Sequence, residues 1–322
     1  MNSWERVTKA MQLSMPDRVP IYEMHIPPKI SSVVLNKNVN EVMYGNFEAF
    51  HNLIASKREV NLDRLNSLIA EEQLAVYQGF GLDWIRVSWA YASIPKDVKR
   101  LNNNVWRIEG KRYKWVGDTA WFLDEPKDYD PDEVIKACRE SSVEVNTGVF
   151  AILRWISKKV KDEIFLSFDA DGTWGPIVSN PNLLKHVLIW VYRRPDAVET
   201  LINYHTKVAL EYGKYAIDEG ADAIQLCVDY GNKNGPWLSP PMFRRFVKPA
   251  LEMHVNEFRR KGAFVVVHSD GYIMPLLADM VDAGINAYQG IDVIAGMDLK
   301  EVKEKYGDKI CLVGNVDPRI IE

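Results

Sequence analysis

The sequence predicts an α/β protein built as a (β/α)8, TIM-type barrel. Three patterns predict it. Short apolar runs rich in Val, Ile and aromatics alternate with longer stretches of helical period; several helical stretches stop at glycine just before the next run; and polar residues stand directly after nearly every run.

In chain order, the candidate strands are Val19–His25, Trp84–Trp89, Ile164–Asp169, Ala223–Asp229, Phe264–His268, Ala287–Ile291 and Ile310–Asn315. The helical stretches between them are Leu65–Phe80, Asp196–Glu219, Pro241–Lys261, Met274–Ala283 and Leu299–Tyr306. Glu219-Gly220, Lys261-Gly262 and Ala283-Gly284 supply the stops, since glycine adopts the left-handed conformation that ends a helix. Residues 102–124 break the rhythm. Val105-Trp106-Arg107-Ile108 and Arg112-Tyr113-Lys114-Trp115 alternate around Glu109-Gly110-Lys111, which predicts a β-hairpin inserted after the second strand. A polar loop from Glu125 to Glu133 then leads into a helix with an acidic first turn. A closed barrel needs eight strands. Seven are legible, so the expectation is one barrel domain over residues 1–322 whose last strand is missing from the chain.

The length of 322 residues and 47% hydrophobic content allow one large core. The net charge of -4 and the lack of any Lys/Arg block argue against a nucleic-acid partner. No apolar run approaches the roughly 20 residues that span a bilayer, and the first residues lack a signal-peptide core, so the expectation is a cytoplasmic protein without membrane contact. Cys138, Cys227 and Cys311 are odd in number and far apart, which predicts free thiols rather than disulfides. Ten Trp residues suit a pocket that stacks a planar ligand, although packing explains them equally.

In a parallel barrel the ligand side is the carboxyl end of the strands. Glu23 and His25, Asp169 and Asp171, Asp229 and Tyr230, His268 and Asp270, Gln289 and Asp292, and Asn315 and Asp317 all fall there. The strongest of these segments is Phe264-Val265-Val266-Val267-His268-Ser269-Asp270-Gly271: at strand spacing, His268 and Asp270 can face one way and hold a metal or act as an acid/base pair. The same residues can also simply turn the chain and cap the next helix. Glu23 with His25 and Asp169 with Asp171 admit a plain loop reading too, because Pro27-Pro28 and Gly172 follow them. His51, His186, His205 and His254 lie in or beside helices and are expected to pack or face solvent.

Several segments together resemble the uroporphyrinogen decarboxylase superfamily, in which decarboxylases and corrinoid-dependent methyltransferases share one barrel. They are Asp17-Arg18-Val19-Pro20, Gly220-Ala221-Asp222-Ala223, Ser239-Pro240-Pro241-Met242-Phe243 with Pro249, His268-Ser269-Asp270-Gly271, Met297-Asp298-Leu299, and Tyr306-Gly307-Asp308 leading to Gly314-Asn315-Val316-Asp317-Pro318. They span nearly the whole chain in the family's order. The decarboxylases carry an arginine-rich stretch after the first strand, whereas this chain has Glu23-Met24-His25-Ile26-Pro27-Pro28-Lys29. The methyltransferases hold zinc through a His-x-Cys pair and a further Cys; here His268 matches, Asp270 replaces the first Cys, and the chain ends before the second.

The resemblance is greatest to relatives that demethylate methoxylated aromatics. It implies an O-demethylating methyltransferase that passes a methyl group from a small methylated substrate to the cobalt of a corrinoid protein. Corrinoid on that partner is the implied cofactor, and zinc is the candidate metal. An ether oxygen is a poor leaving group and needs a proton or a Lewis acid. On this reading His268, Asp270, Asp229 and Asp171 are the catalytic candidates, and His268, Asp270 and Glu23 the metal ligands. Trp89, Tyr91, Trp174 and Tyr230 would stack the aromatic ring, with Gln289 and Asn315 also binding substrate. A homodimer is compatible with this. Two alternatives stay open: a decarboxylase, and a barrel that binds a tetrapyrrole or corrinoid without catalysis.

Overall fold

The computed structural model describes residues 1–56, 59–116, 119–124 and 128–320. Its centre is a parallel sheet of six strands: Trp84–Val87, Phe165–Asp169, Ala223–Cys227, Phe264–Ser269, Ala287–Gly290 and Cys311–Val313, each hydrogen-bonded to the next in chain order. Helices connect the strands, as parallel pairing requires. Glycines close the helices where expected: Gly220, Gly262 and Gly284 have φ of 105°, 91° and 87°.

The sheet is curled, and its two faces differ. Ile85, Val87, Leu166, Phe168, Ile224, Leu226, Val265, Val267 and Tyr288 pack outward against the helices in the main core. Their neighbours Trp84, Phe165, Ala223, Val266 and Ala287 turn inward and form a separate cluster with Val7 and Met11 of the N-terminal helix Ser3–Met11. That helix plugs the amino end of the sheet. Trp4 donates its indole N–H to Asp222 (2.9 Å), and Arg6 pairs with the fully buried Asp83 (2.6 Å). The interior is therefore filled at the bottom and polar at the top.

The expected first strand, Val19–His25, is reduced to one parallel bridge between Tyr22 and Trp84. Pro20 has no N–H to give to a ladder, and the N–H of Ile21 goes to the Asp83 carboxylate instead (2.8 Å). The predicted helix Pro241–Lys261 is two helices, Pro240–Phe246 and Lys248–Arg260. Pro249 cannot donate to residue 245 and crowds its carbonyl, so the helix restarts.

Between the first two strands of the sheet lies a separate antiparallel sheet of four strands, Val98–Arg100, Val105–Ile108, Lys111–Val116 and Thr119–Phe122, where the sequence predicts two. Glu109 and Gly110 both have positive φ (49° and 78°), which is the two-residue turn whose twist suits a hairpin. Residues 117–118 and 125–127, which fall within the predicted hairpin and polar loop, lie outside the described residues. The helix beyond, Pro131–Glu140, is capped by Asp130. No helix among the described residues is long and apolar enough to cross a membrane.

Candidate functional site

The carboxyl ends of Ala223–Cys227 and Phe264–Ser269 bring three predicted residues together. Asp229, His268 and Asp270 each offer a ligand atom, and these atoms all lie within 4.8 Å of one another. His268 Nε2 is 3.5 Å from Asp229 Oδ1 and 3.7 Å from Asp270 Oδ2. The backbone N–H of Asp270 donates to Asp229 Oδ1 (3.0 Å), so one loop fixes the other.

Local geometry explains this closeness. Four apolar residues bury the Phe264–Ser269 strand, and Ser269 Oγ accepts the N–H of Tyr230 (2.9 Å). Gly271 then lies so near the loop after Asp229 that a Cβ would meet the Asn232 backbone at 2.8 Å, which only glycine avoids. Asp229 itself adopts a left-handed backbone, φ 37°, tolerable for Asp and turning its side chain out of strand alternation.

The imidazole of His268 is buried, whereas Asp229 and Asp270 are partly open to solvent. Its Nδ1 is hydrogen-bonded to Gln289 Oε1 on the adjacent strand, in register with it. An amide oxygen only accepts, so Nδ1 carries the hydrogen and Nε2 is the ring atom that faces the two carboxylates. Loss of hydration pushes the Asp270 carboxyl above the ordinary range, against the attraction of His268 and aided by Asp229 and Asp292.

The other predicted residues divide. Glu23 is exposed and its carboxylate accepts from the backbone of Met24 (2.9 Å); it stands outside the Asp229–His268–Asp270 cluster, because its segment leaves the ladder after Tyr22. Gln289 serves His268 rather than standing free for a substrate. Trp174 and Tyr230 are buried and offer no open ring face: Tyr230 meets Phe243 edge-on at 5.0 Å, and the Trp174 indole N–H has no partner among the described residues. Tyr91 is stacked on Phe50 at 3.7 Å. Trp89 is 42% exposed, lies parallel to Phe168 and Tyr212, and donates to the Asp169 carbonyl (3.1 Å). Asn315 is half-buried just beyond the Cys311–Val313 strand.

Of the helical histidines, His51 bonds the Phe47 carbonyl, His254 the Thr206 carbonyl (3.3 Å) and His186 the Asp128 carboxylate (2.8 Å). His51 and His254 are buried packing residues, while His186 pairs with an exposed carboxylate.

Asp171 reaches solvent at the concave end of the sheet, beyond the Phe165–Asp169 strand. Loss of hydration, with protein on most sides of the carboxyl, and the nearby Asp169 carboxylate push it up to about 6, against the pull of Arg86. Arg86 is the residue that sequence reasoning missed. It faces inward from Trp84–Val87 and pairs with Asp169 through Nε (2.9 and 3.0 Å) and Nη2. Its signal was a lone charge inside an apolar strand.

The comparisons with known proteins agree with this architecture. Residues 135–322, more than half of the chain, match the family model described as uroporphyrinogen decarboxylase (URO-D). A methylcobamide:CoM methyltransferase, MtaA, of Methanosarcina barkeri is 27% identical over 148 residues, 45% of this chain and 41% of that one. A uroporphyrinogen decarboxylase of Chlorobium luteolum is 29% identical over 133 residues, 41% of this chain and 36% of that one. The match thus spans about two fifths of these relatives' length. A solved structure of a methyltransferase from Methanosarcina mazei superposes with a TM-score of 0.68 at 19% identity, covering 98% of this chain and 83% of that one, which establishes a shared fold. With its parallel sheet, the cluster at the carboxyl ends and a family match over most of the sheet, the chain belongs to the uroporphyrinogen decarboxylase family.

Proposed function

We propose that this protein is a methyltransferase that moves a methyl group from a methoxylated, aromatic donor to the cobalt of a separate corrinoid protein. The observation that carries the reading is the Asp229–His268–Asp270 cluster at the carboxyl end of the sheet. Decarboxylation of a porphyrinogen needs cations for the substrate's carboxylates; here the inward-facing Arg86 is committed to Asp169, and Asp171, Asp229, Asp270 and Asp292 add negative charge at the strand ends.

The donor set fits a metal ion. Ligand atoms 2.0–2.1 Å from a tetrahedral zinc stand about 3.3 Å apart, close to the 3.5 and 3.7 Å between His268 Nε2 and the two carboxylate oxygens. Three protein ligands leave one position open, as catalytic zinc sites do. When bound, the ion supplies Lewis acidity to a leaving oxygen. An imidazole with two carboxylates suits an oxygen nucleofuge, whereas thiol activation in this family relies on cysteine ligands that the segment lacks.

The chain's own groups supply the rest. Gln289 holds the Nδ1 side of His268, the exposed part of the Trp89 indole is the contact for the donor ring, and the Asp171 carboxyl, pushed up to about 6, is a proton donor on the acid side of neutrality. Zinc analysis of the purified, dialysed protein tests the reading. One equivalent in the parent and none in His268→Ala is the expected result; a metal-free protein that decarboxylates a porphyrinogen would replace methyl transfer with decarboxylation.

A further inference from the structure

One strand end carries two carboxyls with different surroundings. Asp169, the last residue of Phe165–Asp169, is buried and clamped from inside by Arg86. Asp171, two residues on, has a left-handed backbone (φ 51°) and reaches solvent, and among the described residues it has no ion-pair partner. The loop that holds it is folded tightly over the next strand. A Cβ at Gly175 would meet the Cys227 carbonyl at 2.5 Å and Asp171 Cβ at 3.2 Å, so Asp171 cannot drift far from this interior.

The Arg86–Asp169 pair is a poor device for stability alone. Replacing a buried ion pair by apolar residues of similar volume is often neutral or stabilising, and the layer below it is filled that way by Trp84, Phe165 and Val266. We propose that Arg86 and Asp169 are positioning residues that fix the negative charge of this strand end on Asp169 and leave the proton on Asp171, which acts as the acid toward the leaving oxygen. The proton transfer rests on the methyl-transfer reading; the division of charge does not. In the transfer, the O–H bond of Asp171 breaks as a new one forms on the leaving oxygen. That oxygen keeps the electron pair of the broken C–O bond, the methyl group passes to the Co(I) of the corrinoid protein, whose own electron pair forms the new Co–C bond, and Asp171 is left as carboxylate.

The groups facing Asp171 are Asp169 on its own strand, Arg86 from Trp84–Val87 and the Cys227 thiol from Ala223–Cys227, which burial pushes up and so keeps neutral. Lost hydration and the Asp169 charge together bring the Asp171 carboxyl to about 6.

The test is a carboxyl 13C NMR titration of the full chain labelled at Asp, with Asp171→Asn to assign the signal. The expected midpoint for Asp171 is about 6. Asp169→Asn removes the like charge and leaves Arg86 facing Asp171, so the midpoint falls by about 1 unit or more. If that variant does not fold, Arg86→Met gives the opposite expectation, a midpoint that rises. An Asp171 that titrates in the ordinary carboxylate range in the parent, or that does not move in the folded variants, overturns the proposal. A shift as expected in a protein that transfers no methyl group upholds the charge division and removes the methyl-transfer reading alone.

Discussion

His268 and Gln289 stand opposite each other on adjacent parallel strands and share a hydrogen bond from imidazole Nδ1 to the amide oxygen. The bond fixes which nitrogen faces Asp229 and Asp270. Such outer partners of a metal-binding histidine typically contribute 10- to 100-fold in metal affinity. Gln289→Leu is therefore expected to weaken zinc binding by about 10- to 100-fold while the far-ultraviolet circular dichroism stays unchanged, as measured by competition with a chelating dye.

Asp83 ties three parts of the fold together. Fully buried, it receives Arg6 Nη1 (2.6 Å), Arg18 Nη1 (2.6 Å), Ser3 Oγ (2.8 Å) and the backbone N–H of Ile21 (2.8 Å). Removing one partner of a buried ion pair typically costs 3–5 kcal/mol. Asp83→Ala is expected to lose about that much in urea unfolding.

The same residue sets a pH dependence. Burial pushes the Asp83 carboxyl up, but the bonds from Arg18, Ile21, Ser3 and Arg6 outweigh this and hold it below the ordinary value. A carboxyl depressed in the folded state contributes fully above its unfolded value, about 3.9, and loses that contribution as pH falls through the folded value. The stability gap between the parent and Asp83→Asn should therefore be full at neutral pH and shrink on acidification below that value. Urea midpoints of both proteins across the range measure it.

The glycine after Gln289 is also constrained. Gly290 has φ 125°, and a Cβ there would meet the Ser269 carbonyl at 2.5 Å. Gly290→Ala should force the Phe264–Ser269 and Ala287–Gly290 strand ends apart, with an expected loss of about 1–3 kcal/mol and weakened zinc binding. Thermal unfolding together with the dye competition checks both effects.

Trp89 stacks on Phe168 and Tyr212 while much of its indole stays open to solvent. At 42% exposure, Trp89→Ala should cost little stability yet raise KM for an aromatic donor by several-fold, since an aromatic contact contributes about 0.5–1.5 kcal/mol. Unchanged KM with every methoxylated aromatic would mean that the ring binds elsewhere.

The parts of this molecule that were legible in the sequence are those governed by local chemistry. Phe264-Val265-Val266-Val267 reads as a buried strand because apolar β-branched residues leave few other choices, and His268 and Asp270 follow from that register. The helix Leu299–Tyr306 has the limits its periodicity predicts, with Asp298 as its cap. What could not be read depends on distant partners. The first strand failed because the side chain of Asp83 takes the Ile21 N–H that a ladder would use. The roles of Gln289 and Arg86 depend on which strands are neighbours, and the burial of Tyr230 and Trp174 was not legible because an aromatic at a strand end can turn into the core as readily as toward a ligand. Asp229 joined the cluster through a left-handed backbone that alternation alone does not reveal.

The most direct measurement mixes the zinc-loaded protein anaerobically with a reduced corrinoid protein and methoxylated aromatics, and follows the cobalt spectrum. The account predicts conversion of Co(I) to methyl-Co(III) with the parent and its loss with His268→Ala. No change with any methyl donor, methylamines and methyl thiols included, would contradict it.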